Sequence, residues 1–69
     1  MSFYDWLMTQ TDRDDPVGDL ANDAERDPTA PLGGSVETWR GYLMRRPGVC
    51  WQARAALDQA IAEFELETR

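Results

Sequence analysis

Residues 49–66 read VCWQARAALDQAIAEFEL, and this stretch carries the clearest signal for the fold. Its apolar residues recur three and four positions apart, which is the spacing of one face of an α-helix. The residues of this face are Cys50, Ala53, Leu57, Ala60, Ile61 and Phe64. Trp51 and Leu66 fall nearly opposite that face. The stretch therefore predicts a long helix that buries one side against the rest of the protein.

Three shorter helices are predicted before this one. The first covers about residues 3–10 behind the N-cap residue Ser2. The second follows the N-cap Asp15, and the third follows the N-cap Ser35. In each helix, four residues fall on the face that we expect to be buried. They are Phe3, Trp6, Leu7 and Gln10 in the first helix; Val17, Leu20, Ala21 and Ala24 in the second; and Val36, Trp39, Tyr42 and Leu43 in the third. Because no stretch of strand length alternates between apolar and polar residues, we predict an all-α, compact four-helix bundle.

Two positions outside these faces carry separate expectations. Gly18 weakens the second helix by about 1 kcal/mol relative to alanine. We expect it to allow close packing against an aromatic ring. Residues 27–34 form a connector with two prolines and two glycines. We expect Leu32 to anchor this connector on the core.

The composition limits both the size of the fold and its chemistry. The 69 residues suffice for one domain, residues 1–69. With no histidine and a single cysteine, Cys50, the chain offers no internal disulfide, zinc-finger, haem or histidine-based nucleophilic site. We expect no catalytic residue, no metal, no cofactor and no small-molecule substrate, because so small a domain has no room for a deep pocket. No apolar run is long enough for a membrane span. Because small secreted domains usually carry several disulfides, the single cysteine leads us to expect a cytoplasmic protein.

The charge is distributed unevenly along the chain. Residues 1–30 hold eight acidic residues and two arginines, which account for the whole net charge of −6. Residues 35–56 hold one glutamate and four arginines, a balance of +3. A candidate acidic face consists of Asp14, Asp15, Asp19 and Asp23. A candidate partner-binding surface consists of Arg40, Arg45, Arg46, Trp51 and Arg54.

Each candidate surface has a competing interpretation. The aspartates do not match a calcium-binding loop, because Gly18 falls at the seventh position from Asp12 and not at the sixth. A solvated acidic face is the simpler reading. The arginines either bind a partner or pair with the acidic half of the protein. Trp51 is either an exposed interface residue or is folded under a neighbouring helix.

Three parts of the chain together resemble a known family. They are the start, Ser2-Phe3-Tyr4-Asp5-Trp6-Leu7; the run from Asp14 to Asp23, followed by Asp27 and Pro31; and Trp39, Tyr42-Leu43 with the closing Ala56-Leu57-Asp58-Gln59-Ala60. In order and spacing, over about residues 2–64, they resemble the YozE-like small bacterial proteins, whose fold is SAM-like. The resemblance implies a compact four-helix bundle and no catalytic motif. The chain departs from the commoner family pattern in its Arg45-Arg46-Pro47-Gly48 turn and in having no lysine.

We therefore expect a non-enzymatic interaction module that binds another protein or a second copy of itself. The SAM-like resemblance implies that such bundles can associate head to tail, with the acidic face of one copy on the basic face of the next. Nucleic-acid binding through the arginines of residues 40–54 is the alternative, although the net charge of −6 opposes it. A further alternative is acidic mimicry of DNA by the front half of the chain.

Overall fold

The computed structural model describes residues 1–45 and 51–68. This part of the chain forms four helices and no strand, which confirms the predicted all-α bundle: α1 (Phe3–Met8), α2 (Pro16–Arg26), α3 (Val36–Arg45) and α4 (Trp51–Glu67). Arg46 and Cys50, which carry predictions from the sequence, lie outside the described residues.

The predicted N-caps begin three of the helices. The Ser2 hydroxyl accepts the Asp5 amide at 3.1 Å, the Asp15 carboxylate accepts the Gly18 amide at 2.9 Å, and the Ser35 hydroxyl accepts the Thr38 amide at 3.3 Å. Each bond satisfies an amide that has no partner within its own helix. At its other end, α1 stops at Met8, two residues before the predicted end. There the Thr9 hydroxyl donates to the Trp6 carbonyl at 2.5 Å.

The core forms where α4 packs against the other three helices. Its largest fully buried side chains are Trp39, Phe3, Leu7 and Val17. The Trp39 ring lies 5.3 Å from the rings of Phe3 and Tyr42, measured between centroids. Such edge-to-face contacts stabilise aromatic pairs beyond the burial of area alone. Trp39 therefore joins α1 and α3 at the centre of the bundle.

The expectation for the connector was wrong in its choice of residue. Leu32 is 62% exposed, whereas Ala30 is buried. The Ala30 amide donates to the Asp27 carbonyl, and the Asp27 carboxylate accepts both the amide and the hydroxyl of Thr29. This turn presents Ala30 to the core and leaves Leu32 in solvent.

Gly18 is required by a close backbone contact, and the atoms nearest to it belong to Arg13 and not to the aromatic ring that we expected. A Cβ atom at this position would lie 1.9 Å from the Arg13 carbonyl oxygen. The Asn22 side chain also joins this loop to α2, because its amide donates to the Thr11 carbonyl in the loop at 3.0 Å and to the Gly18 carbonyl in the helix at 2.9 Å. The absence of a side chain at Gly18 therefore lets the loop before α2 lie directly on the helix.

Arg13 joins that loop to α4. Its guanidinium donates to the Asp15 carboxylate at 2.7 Å, to the Glu63 carboxylate at 2.7 Å and to the Gln10 side chain at 3.1 Å. We call Arg13, Asp15 and Glu63 the Arg13 cluster. The hydrogen bonds from Arg13 lower the pKa of Glu63. The Gly18 amide and then Arg13 lower the pKa of Asp15. Both carboxylates thus favour the folded state while they are ionised.

The Arg13 cluster predicts that the free energy of unfolding decreases as the pH falls into the acid range. A carboxyl whose pKa is lowered by folding contributes stability above its unfolded pKa of about 4. That contribution is lost as the pH falls through the lowered folded value. We expect Glu63→Gln to reduce the free energy of unfolding at neutral pH and to flatten its decline in acid. Urea unfolding at a series of pH values measures both effects.

Glu65→Gln is the matched control, because Glu65 is exposed on the same helix and forms no ion pair within the described residues. It removes the same charge without touching Arg13. Equal acid dependence in the two variants would show that the Arg13 cluster does not stabilise the fold.

Candidate functional site

A groove runs between α3 and α4. It has a volume of about 270 Å³ and is lined by Arg40, Leu43, Met44, Arg54, Leu57 and Asp58. Arg40 faces Asp58, whereas Met44, one turn later on α3, shares the groove with Arg54, one turn earlier on α4. Residues from successive turns of the two helices therefore meet in this groove. Buried Leu43 and Leu57 form the floor of the groove.

The cations along this groove differ in their partners. Arg40 pairs with Asp58 at 2.5 Å, and both side chains are largely exposed, at 46% and 64%. Arg45 and Arg54 are exposed and form no ion pair within the described residues. Exposed ion pairs contribute little stability, typically 0–1 kcal/mol. Of the two arginines that line the groove, Arg54 therefore has no ion pair within the described residues, and Arg40 can exchange its partner at small cost.

Exposed apolar groups lie beside these cations. Trp51 is 73% exposed and Met44 is 59% exposed. Trp51 precedes Arg54 by three residues on α4, so the two side chains lie on neighbouring positions of one helix face. Of the two interpretations of Trp51, the structure supports the exposed one. We call Arg40, Met44, Arg45, Trp51 and Arg54 the α3–α4 surface.

The acidic residues divide into two groups. Asp14, Asp19 and Asp23 are exposed, and Asp19 and Asp23 lie one turn apart on α2. Asp15 is only partly exposed, because it caps α2 and binds Arg13. Three of the four residues of the candidate acidic face are therefore open to a partner, whereas Asp15 is engaged within the fold.

The α3–α4 surface has the chemistry of reversible binding. It combines hydrogen-bond donors of fixed positive charge with an indole and a thioether. Within residues 1–45 and 51–68, no three histidine, cysteine or acidic side chains lie close enough together to hold a metal. In the same part of the chain, no helix has the length and apolar content that a membrane crossing requires.

Four residues of the groove were not among the candidate binding residues from the sequence: Leu43, Met44, Leu57 and Asp58. Leu43 and Leu57 were assigned to the core, where they also lie. Asp58 follows Arg54 by four residues, the spacing of a helical ion pair. In the structure it binds Arg40 of the facing helix. Only the packing of α3 on α4 brings this set together.

A comparison with family models identifies the chain. The model described as the YozE SAM-like fold matches residues 2–66. No curated protein and no solved structure matches the chain. The match covers all four helices and agrees with the all-α architecture described above. The chain therefore belongs to the YozE SAM-like family.

Proposed function

We propose that this protein is a non-enzymatic interaction module that binds another protein through its α3–α4 surface. The observation that carries this proposal is the exposure of Trp51 beside Arg54, which has no ion pair within the described residues. Tryptophan and arginine are the residues most enriched among those that dominate binding energy at protein interfaces. Met44 and Arg45 extend the same surface along α3.

The position of Trp51 outside the small aromatic core also supports a partner at this surface. The aromatic rings of Phe3, Trp6, Trp39 and Phe64 pack together in the bundle. Trp51 is left out of that cluster, although a domain of this length buries only about 60% of the surface of its unfolded chain. An indole that the core does not use gains its burial from a partner.

We also propose that the module acts in the cytoplasm. A lone cysteine, Cys50, permits no disulfide within the chain. Small secreted domains usually depend on several such bridges, because their cores are marginal. Here the ion pairs of the Arg13 cluster and the packing of the aromatic core connect the elements of the fold without covalent bonds.

Nucleic-acid binding is the second candidate function. Arg54 and Trp51 on one helix face combine a phosphate-binding cation with a ring that can stack on a base. The net charge of −6 opposes this function, because affinity for nucleic acid depends on neutralising several phosphates. Asp14, Asp19 and Asp23 keep acidic mimicry of DNA as a third candidate. A titration of labelled DNA and RNA at low salt tests the second candidate, whereas acidic mimicry predicts a basic protein partner in a pull-down.

Photo-crosslinking in cells of the source organism tests the leading proposal. The photoreactive residue p-benzoylphenylalanine replaces Trp51 in one variant and Met44 in a second. In the control it replaces Asp5, which is exposed on α1 and does not line the groove. We expect a discrete protein adduct from positions 51 and 44, and at least about tenfold less from position 5.

Other crosslinking results identify the competing functions. Adducts that are nucleic acid would replace the leading proposal with the second candidate. Adducts with twice the mass of the protein would identify a second copy as the partner, as head-to-tail association requires. Light scattering over a range of protein and salt concentrations would then follow that association.

A further inference from the structure

We infer that the occupant of the α3–α4 groove is an acidic amphipathic helix of another protein. The inference rests on the proposed function and specifies its partner. Two properties of the groove determine the chemistry of this occupant. They are the charge along its walls and the apolar groups on its floor and at its rim.

The charge of the groove calls for carboxylates. Arg54, which lines the groove, has no ion pair within the described residues, and the Arg40–Asp58 pair beside it is exposed. An incoming carboxylate can therefore bind Arg54 directly and share Arg40 with Asp58. The rest of the protein repels acidic ligands, since residues 1–30 have a balance of −6. Complementary charge of this kind directs a partner to one surface and sets its orientation.

The apolar groups exclude a purely anionic occupant. Leu43 and Leu57 form the floor, and Met44 is 59% exposed at the rim. Phosphates and simple anions would leave the exposed Met44 side chain in water. A ligand that carries both carboxylates and apolar side chains satisfies the whole groove. Trp51, which precedes Arg54 by three residues on α4, offers a further apolar contact.

The shape of the groove favours a helix as the carrier of these groups. The groove lies between two helices, α3 and α4, where a third helix can contact both. An amphipathic helix places apolar residues three and four positions apart on one side and charged residues beside them. Helix-in-groove binding uses such anchors. Apolar anchors would enter between Met44 and Leu57, and glutamates would flank them at Arg40 and Arg54.

A titration with a designed peptide tests the inference. The probe is a helical peptide of about 14 residues, four turns, with leucines at three- and four-residue spacing and glutamates beside them. It is added to the ¹⁵N-labelled full chain at low salt. We expect saturable shifts of the Trp51 indole and of the α3–α4 surface, with a Kd below about 1 mM. Trp6 and Trp39 are buried, so their indole signals serve as internal references.

Matched variants and peptides separate charge from apolar contact. Arg54→Glu is expected to weaken binding at least about tenfold. Arg26→Glu, at an exposed arginine that ends α2 without an ion pair in the described residues, is expected to change it less than about twofold. A peptide with lysine in place of glutamate and one with serine in place of leucine are each expected to lose the saturable response.

Three results would overturn the inference. They are no saturation by the glutamate peptide, an equal response to the lysine peptide, and tighter binding of a short DNA duplex to the same residues. Failure of the peptide together with shifts that depend on protein concentration would assign the groove to a second copy. A protein adduct from position 51 combined with failure of the peptide would keep the proposed function and reject only the acidic helix.

Discussion

Replacing Trp39 by alanine is expected to unfold the domain. The side chain is fully buried, and its ring contacts Phe3, Tyr4 and Tyr42. Removing a buried tryptophan costs about 3–5 kcal/mol, because burial is lost and a cavity remains. A domain of 69 residues is stabilised by about 3–10 kcal/mol in total. The variant should therefore lose the dispersed amide spectrum and the cooperative urea transition of the parent protein.

Trp39→Phe and Trp51→Ala are the matched controls for this change. The Trp39 indole nitrogen is buried without a hydrogen-bond partner in the described structure. Phenylalanine keeps most of the aromatic volume and removes that unpaired donor, so it should cost less than half as much as alanine. Trp51→Ala removes an exposed ring and should change stability by no more than about 0.5 kcal/mol. If Trp39→Ala unfolded as cooperatively as the parent and at nearly the same urea concentration, Trp39 would not be central to the core.

Gly18→Ala is expected to destabilise the protein by about 2–4 kcal/mol. The new Cβ would lie 1.9 Å from the Arg13 carbonyl oxygen and 2.7 Å from its carbon. These are backbone atoms, so no side-chain rotation can relieve the clash. The loop must move away from α2, and the Arg13 cluster would be displaced with it. The loss should exceed the gain of about 1 kcal/mol that alanine brings to a helix interior.

Gly41→Ala is the matched control, because the same substitution is expected to stabilise the protein at this position. Gly41 lies within α3, and a Cβ atom there would have nothing within 4 Å. Alanine should stabilise the protein by about 0.5–1 kcal/mol through its better helix propensity. Urea unfolding measures both variants. A stabilised Gly18→Ala variant would contradict the close contact between Arg13 and Gly18.

The local signals in the sequence predicted most of the fold. Asp15-Pro16 and Ser35 mark the starts of α2 and α3, because an N-cap depends on the residue itself and on amides three positions away. Helical spacing assigned Leu57, Ala60 and Ile61 to the core face of α4, and they are buried. The buried set also includes Ala56, whose small side chain carries little signal of its own.

The interactions that the sequence did not predict join distant residues. Arg13 and Glu63 are fifty positions apart, and their ion pair depends on the way α4 passes the loop before α2. The choice of Ala30 over Leu32 depends on the direction of a single turn in the connector. A hydropathy pattern favours the larger side chain and contains no information on that direction.

The candidate surface, too, could be predicted only in part from the sequence. The sequence left open whether the candidate arginines converge, and in the structure Arg40 and Arg54 line one groove. The engagement of Arg40 with Asp58 and the exposure of Trp51 required the packed helices. The role of the α3–α4 surface in binding stays a prediction. Its physical basis is that the described part of α4 exposes an indole, Trp51, beside Arg54, a cation without an ion pair in that part of the chain.

Crosslinking from position 51 in cells is the decisive measurement for binding at the α3–α4 surface. We expect that p-benzoylphenylalanine at position 51 captures a protein, that Arg54→Glu in the same chain removes the adduct, and that Arg26→Glu leaves it intact. Capture in equal yield from position 5, or an adduct from position 51 that survives Arg54→Glu unchanged, would contradict the assignment of binding to the α3–α4 surface.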